Sequence, residues 1–157
     1  MEPVLHPDCA PIAALLGTWA GEGRGEYPTI PSFAYGEEVR FWHVGKPFLA
    51  YTQKTWALDD GRPLHAEAGY WRPKPDGRIE IVLAHPTGVA EIQEGTVAGG
   101  VVDVRSSVVA KTATAKDVTA LARVFRIDGD TLSYDVQMAA VGLPLTHHLS
   151  ATLKRSG

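Results

Sequence analysis

The stretch that decides the fold is Gly17-Thr18-Trp19-Ala20-Gly21-Glu22-Gly23-Arg24-Gly25-Glu26-Tyr27. In an extended strand the side chains alternate between faces, so Trp19, Gly21, Gly23, Gly25 and Tyr27 share one face. Glycines destabilise a strand because they lose much backbone entropy on folding and bring no side chain to pack. That cost is tolerable where the strand bends sharply or where a bulky group lies against its backbone. A closed barrel needs the bend, and a barrel that holds a flat ligand needs both. The alternative is a glycine-rich turn after a helix.

The rest of the chain carries β-branched and aromatic runs about every eight to twelve residues, separated by turn residues, as in β-sandwiches and barrels. The predicted strands are 18–27, 35–43, 48–57, 64–73, 78–84, 88–97, 101–109, 118–127, 131–140 and 145–154. A short helix is predicted over 11–16, capped by Asp8 and ended by Gly17, after a loosely held lead at residues 1–9.

Tight hairpins without a crossover helix predict an up-and-down meander, and closing it into a barrel removes both exposed edges. Ten strands enclose more volume than eight, which leaves room for a small-molecule cavity. A length of 157 residues fits one domain. We therefore predict an all-β fold: one domain over 1–157 that forms a ten-stranded antiparallel up-and-down β-barrel with a short N-terminal helix.

Charge and cysteine content argue against several classes of partner. The net charge is −3 and the charges are scattered, whereas nucleic-acid binding usually leaves a basic stripe. No apolar run approaches the roughly 20 residues of a membrane helix, and the N-terminus lacks the order of a signal peptide. One cysteine, Cys9, suits a reducing compartment. We expect a cytoplasmic protein without nucleic-acid or membrane partners, as a monomer or a homodimer.

Five segments stand out together. They are Gly17-x-Trp19-x-Gly21-x-Gly23 with Gly25-Glu26-Tyr27-Pro28-Thr29-Ile30, then Arg40-Phe41-Trp42-His43-Val44-Gly45-Lys46-Pro47-Phe48-Leu49-Ala50-Tyr51-Thr52-Gln53, Pro63-Leu64-His65-Ala66-Glu67-Ala68-Gly69-Tyr70, Thr87-Gly88-Val89-Ala90-Glu91 and His148-Leu149. In order and approximate spacing they resemble the nitrobindins, small haem-binding β-barrels related in form to the calycins and fatty-acid-binding proteins. The resemblance implies a ferric haem b protein that binds nitric oxide and acts as a peroxynitrite isomerase, converting peroxynitrite to nitrate.

The resemblance also implies site residues. It places the axial ligand of the haem iron, and with it the catalytic centre, at His148. His65 would lie on the distal side, with Leu64 lining the pocket; the alternative for His65 is a hydrogen bond to a backbone carbonyl at the barrel mouth. Thr29 matches a position that approaches haem, although its hydroxyl could equally cap the loop. The porphyrin is expected to lie in the hollow of the glycine strand.

Arg123 has two candidate roles. It could pair with a haem propionate as a charge-assisted donor, or it could lie over Trp19 and hold the barrel closed by cation–π contact.

Strand parity and the resemblance disagree about the C-terminal histidines. A neutral imidazole is a good ligand for haem iron, and both His147 and His148 open the last predicted strand. Strict alternation puts His147 on the buried face of Leu149 and Ala151 and turns His148 outward. A bulge or a late strand start would reverse that parity. His148 is the expected ligand, with His147 as the alternative.

Two other function classes remain open. The barrel could carry or sense haem, nitric oxide or a small hydrophobic ligand without turnover. It could also be a haemless barrel whose glycine strand only accommodates curvature.

Overall fold

Ten antiparallel strands pair in chain order in the computed structural model, which describes residues 1–157. The strands are β1 (Gly17–Tyr27), β2 (Ile30–Trp42), β3 (Leu49–Ala57), β4 (Pro63–Pro73), β5 (Arg78–Ala84), β6 (Val89–Ala98), β7 (Val101–Lys111), β8 (Val118–Asp128), β9 (Thr131–Ala140) and β10 (Thr146–Arg155). Because β1 pairs with both β2 and β10, the sheet closes on itself and has no free edge. The predicted ten-stranded antiparallel barrel is confirmed.

Alternation along the strands builds the core. In β5, Ile79, Ile81 and Leu83 are buried, whereas the residues between them are more exposed. Hairpin turns at Gly77 and Gly129 have positive φ angles of 85° and 58°, a region that glycine enters without a steric penalty. The period of two and the turn chemistry together explain why most strand ends fall close to their predicted positions.

The N-terminal segment differs from the prediction of a loose lead. A 3₁₀ helix spans Pro7–Leu15, and its cap is His6, whose Nδ1 accepts a hydrogen bond of 3.1 Å from the backbone N–H of Asp8. Cys9, Ile12 and Leu15 are fully buried. A 3₁₀ helix has three residues per turn, so this spacing puts one residue of each turn on the same face. Residues 7–9 of the predicted lead therefore belong to a helix that joins the core. No helix in the structure has the length and apolar composition needed to cross a membrane.

The helix is fastened to the barrel through Trp19, whose Nε1 donates a 2.8 Å hydrogen bond to the carbonyl of Leu15. The guanidinium of Arg155 lies 4.3 Å from the centroid of the Trp19 ring and donates to the carbonyl of Leu16. Trp19 and Arg155 are direct partners in the β1–β10 register. The proposal that Arg123 lies over Trp19 is therefore wrong, because the register gives that place to Arg155.

The glycine face of β1 is covered by neighbouring aromatic rings. Gly23 pairs with Tyr35 and Gly25 pairs with Phe33, and a Cβ at either glycine would overlap the ring of its partner. The expectation that the hollow receives the porphyrin is wrong: the bulky groups against this backbone are aromatic side chains of β2. Pairing of an aromatic ring with a cross-strand glycine is a known way to stabilise a curved sheet.

Strand β2 starts earlier than predicted. The sequence predicts a loop at 28–31, with its prolines Pro28 and Pro31, before a strand from residue 35. Only Pro28 lies in the turn, and β2 begins at Ile30. Pro31 falls within the register irregularity near the start of β2, where it has no paired partner. Proline is tolerated at such positions because no ladder hydrogen bond is lost.

Candidate functional site

A cavity of about 700 Å³ occupies the end of the barrel opposite the 3₁₀ helix. Its walls include Phe33 at the start of β2, Leu64 at the start of β4, Val89 at the start of β6 and His148 at the start of β10. In an antiparallel meander the starts of even-numbered strands meet at one end of the barrel. The helix precedes the start of β1 and so lies at the other end.

A β-bulge in β10 decides which terminal histidine lies at the cavity. His147 pairs with Gln137 and Leu149 pairs with Val136, so His148 is an extra residue without a partner on β9. A bulge of one residue reverses the alternation of side chains. His148 and Leu149 both line the cavity, and His147 does not. The prediction from strict alternation, that His148 points outward, is therefore wrong.

His147 is held outside the cavity by two carboxylates. Its Nδ1 lies 2.8 Å from a carboxylate oxygen of Glu26, and its Nε2 lies 3.6 Å from Asp135. Both ring nitrogens thus have acidic partners on the barrel exterior.

The ring of His148 is fixed from two sides. Its Nδ1 lies 3.0 Å from the carbonyl oxygen of Glu26, and because a carbonyl only accepts, Nδ1 carries the proton. The ring meets that of Tyr27 edge-on, with centroids 5.5 Å apart. Burial lowers the pKa of His148 from its ordinary value of 6.5. At neutral pH the imidazole is therefore uncharged, and its Nε2 has a lone pair available to a ligand.

The predicted distal residues also border the cavity. Leu64 and His65 are both lining residues, and the Nε2 of His65 lies 3.0 Å from the Nδ1 of His85. His85 in turn lies 2.7 Å from a carboxylate oxygen of Glu91 through its Nε2. The ring of His65 therefore bonds to a second histidine and not to a backbone carbonyl.

Arg123 lies inside the barrel between two glutamates. Its guanidinium is 3.0 Å from Glu67 and 3.0 Å from Glu91, and Glu67 also accepts a 3.0 Å hydrogen bond from the hydroxyl of Tyr51. Burial acts to raise the pKa of Glu91, but Arg123 and His85 outweigh it and lower that pKa to about 2. Arg123 borders the cavity, and both of its ionic partners are buried carboxylates of the barrel.

A third buried carboxylate, Glu37, lies apart from Arg123's two ion pairs. It accepts hydrogen bonds of 2.7 Å from the hydroxyl of Tyr134 and 2.9 Å from the amide of Gln53. Burial raises the pKa of Glu37 from 4.5 to about 7. The sequence reasoning assigned no role to Glu37, Glu67 or Glu91. The alternation of inward and outward side chains could have identified them, because each glutamate lies at an inward position of its strand.

Thr29 lies in the exposed turn between β1 and β2 and is not a lining residue of the cavity. The early start of β2 shortens this loop to a tight turn, which keeps Thr29 at the surface.

Comparison with known proteins places the chain in a family. The family model described as THAP4-like, heme-binding beta-barrel domain matches residues 8–155. Peroxynitrite isomerase 2 of Mycobacterium avium is 61% identical over 155 residues, covering 96% of each chain. Peroxynitrite isomerase of Nocardia farcinica is 58% identical over 156 residues, covering 96% of this chain and 92% of that relative.

Among solved structures, the crystal structure of Rv2717c from M. tuberculosis superposes with a TM-score of 0.92 at 53% sequence identity. The match covers 98% of this chain and 100% of the other. Sequence and structure therefore agree over nearly the whole length, and the resemblance to the nitrobindins is confirmed. This chain belongs to the THAP4-like, heme-binding β-barrel family.

Proposed function

We propose that this protein is a haem-dependent peroxynitrite isomerase, which binds ferric haem b through His148 and converts peroxynitrite to nitrate. Nitric oxide is proposed as a second ligand of the same iron. The relatives in Mycobacterium avium and Nocardia farcinica carry the name peroxynitrite isomerase at 58–61% identity. The observation that carries the proposal is the bulged His148 at the cavity, with Nδ1 bonded to a backbone carbonyl and Nε2 available.

The donor chemistry of the cavity fits a haem group. A histidine that holds iron needs an unprotonated nitrogen, and a hydrogen bond from the other nitrogen fixes the tautomer and the ring orientation. The contact between His148 and the carbonyl of Glu26 meets that requirement. Apolar side chains that a porphyrin can contact also line the cavity, among them Phe33, Leu121 and Leu149.

When bound, haem would supply the iron at which peroxynitrite rearranges to nitrate. The residues of the chain would hold the haem group, orient its ligand and shield it from water. His148 would hold the group from one wall, and the edge-on ring of Tyr27 limits rotation of its imidazole. Phe33 and Leu149, which line the cavity, would shield the bound group from water.

On the wall that carries His65, a proton can be held between two imidazoles. The 3.0 Å contact between His65 and His85 needs one N–H, and the carboxylate of Glu91 accepts the N–H on the other nitrogen of His85. Burial lowers the pKa of His65, so this donor stays uncharged at neutral pH. The one N–H of neutral His65 is used in the bond to His85. Conversion of peroxynitrite to nitrate consumes no proton, so this wall has no proton to supply.

The test is nitrate yield. The haem-loaded protein, the His148→Ala variant and free haem are mixed with peroxynitrite, and nitrate and nitrite are measured after decay. We expect the wild-type protein to raise the nitrate fraction above that of free haem, and His148→Ala to lose the gain. His147→Ala is the matched control and should retain it.

A second candidate function predicts a different result. If the barrel only carries or senses haem, nitric oxide or a small hydrophobic ligand, the protein binds haem but leaves the nitrate fraction at the free-haem value. That outcome would refute the isomerase activity and favour the carrier function.

The single, buried thiol of Cys9 supports a cytoplasmic location within this proposal, because unpaired cysteines persist in reducing compartments.

A further inference from the structure

Two histidines and a glutamate converge on the cavity wall formed by β4 and the end of β5. The Nε2 of His65 lies 3.0 Å from the Nδ1 of His85, and an oxygen of Glu67 lies 3.9 Å from each of these nitrogens. All three residues line the cavity, and they are the group in this fold that offers three convergent metal-ligand atoms.

We propose that His65, Glu67 and His85 form a binding site for a Zn²⁺ ion. The three ligand atoms form a triangle with sides of 3.0, 3.9 and 3.9 Å. The centre of such a triangle lies about 2.1 Å from each corner, which is the length of a Zn–N or Zn–O bond. The ion would therefore fit without large movement of any ligand.

Partners behind the ligands hold them in place. His85 contacts Glu91 through the nitrogen that faces away from His65, at 2.7 Å. A carboxylate on the far nitrogen of a histidine is the usual support of a zinc ligand, because it fixes the tautomer and raises basicity. Glu67 is held through Oε2 by Arg123 and Tyr51, which leaves Oε1 as the oxygen near the histidines.

The charge of the interior also favours a cation. Two buried carboxylates, Glu67 and Glu91, pair with the single guanidinium of Arg123, so the cluster holds one more carboxylate than it has guanidinium groups. Buried charges without partners are strongly unfavourable. A divalent ion bound to Glu67 would compensate the excess of negative charge beside Arg123.

The hydrogen bonds between the ligands suit a set of neutral imidazoles. In the metal-free protein one N–H lies between the two rings, and with His85 donating to Glu91 that hydrogen belongs to the Nε2 of His65. Metal binding moves this proton to the Nδ1 of His65 and needs no net proton release.

Two imidazoles and one carboxylate with a coordination position open to the cavity form the ligand type found in catalytic zinc sites. The open position faces the same space as His148. The site would present a Lewis acid to anions that enter the cavity, independently of the iron that His148 is proposed to hold.

The test is zinc uptake by the protein as purified. Equilibrium dialysis against micromolar Zn²⁺, followed by elemental analysis, counts zinc and iron separately, so the result does not depend on haem content. We expect one zinc ion per chain. His65→Gln and His85→Gln should each weaken binding by roughly 100-fold or more, and Glu91→Gln by about 10- to 100-fold through the positioning of His85.

His43→Gln and His148→Ala are the controls. His43 bonds the backbone of Gly45 outside the cavity, and His148 is not one of the three proposed ligands, so both variants should bind zinc as the wild type does. Circular dichroism on each variant distinguishes loss of zinc binding from loss of folding. Because His65 is half-buried, His65→Gln should disturb the core less than His85→Gln. Zinc X-ray absorption of the wild type should give two nitrogen neighbours from imidazole. The proposal is overturned if the wild type takes up no zinc, if folded His65→Gln binds it as the wild type does, or if His148→Ala loses it.

Discussion

The Nδ1 of His148 lies 3.0 Å from the carbonyl oxygen of Glu26, whereas the neighbouring His147 contacts the carboxylate of the same glutamate on the outside of the barrel. One residue of β1 thus distinguishes the two histidines. The carbonyl leaves Nε2 of His148 available at the cavity, while the carboxylate holds His147 at the surface. This division of roles underlies the proposed ligation of haem.

Acid should release haem only below the ordinary pKa of histidine. Burial lowers the pKa of His148 below 6.5, and a bound iron competes further with the proton. The ligand therefore stays neutral as pH falls through 6.5, and ligation is lost only as pH falls through the lower pKa. A spectrophotometric titration of the haem-loaded protein should give a midpoint for haem release below pH 6.5. A midpoint above 6.5 would contradict a buried, neutral ligand.

Loss of the Arg155 contact should destabilise the barrel. Arg155→Met removes the cation–π contact with Trp19 and the hydrogen bonds to the end of the 3₁₀ helix. We expect a loss of about 2 kcal/mol in the free energy of unfolding, measured by urea denaturation. Arg126→Met is the matched control, because its pair with Asp135 is exposed, and it should change stability by less than about 0.5 kcal/mol. Equal effects of the two substitutions would argue against the contact.

The pairing of Gly25 with Phe33 can be measured by a double-mutant cycle. A Cβ at Gly25 overlaps the Phe33 ring, so Gly25→Ala should cost about 1–3 kcal/mol of stability in the wild-type background. In a Phe33→Ala background the clash is absent, and the same substitution should cost little or stabilise the strand. Additive effects of the two substitutions would show that the ring does not fill the space above the glycine.

Glu37 should make stability fall as pH rises. Its pKa in the folded state is raised from 4.5 to about 7, so between these values the folded chain binds more protons than the unfolded chain. The free energy of unfolding then decreases with rising pH, by at most roughly 3 kcal/mol from this group. Glu37→Gln should abolish this contribution.

The measurement is urea unfolding of wild type and Glu37→Gln at pH 5, 6, 7 and 8. His65 and His148 have lowered pKa values, so they make stability rise with pH. Both histidines are present in both proteins, so their contributions cancel and the difference isolates Glu37. A difference that does not vary with pH would mean that Glu37 is ionised throughout.

Much of the fold followed from local sequence rules. Period-two alternation and turn glycines such as Gly77 and Gly129 gave ten strands with mostly accurate ends. The 3₁₀ helix was misjudged at its start because its buried residues Cys9, Ile12 and Leu15 repeat strictly every three residues, whereas an α-helical stripe mixes spacings of three and four. Pro31 was read as part of a loop because its tolerance depends on an irregular register that only the paired strand reveals.

The site was less accessible to sequence reasoning, because its decisive features depend on pairing between distant strands. The bulge at His148 exists only relative to β9, so strand β10 alone could not settle the parity. Arg155 meets Trp19, and Phe33 covers Gly25, through registers with neighbouring strands. The association of Arg123 with Glu67 and Glu91 joins three strands across the barrel interior, and no local pattern encodes it.

The central claim, that His148 holds haem iron, is tested most directly by optical titration of the haem-free protein with ferric haem. The wild type and His147→Ala should develop the same Soret band, distinct from that of free haem and saturating at one haem per chain. His148→Ala, verified as folded, should fail to develop it. A band retained in His148→Ala, or lost in His147→Ala alone, would contradict the account.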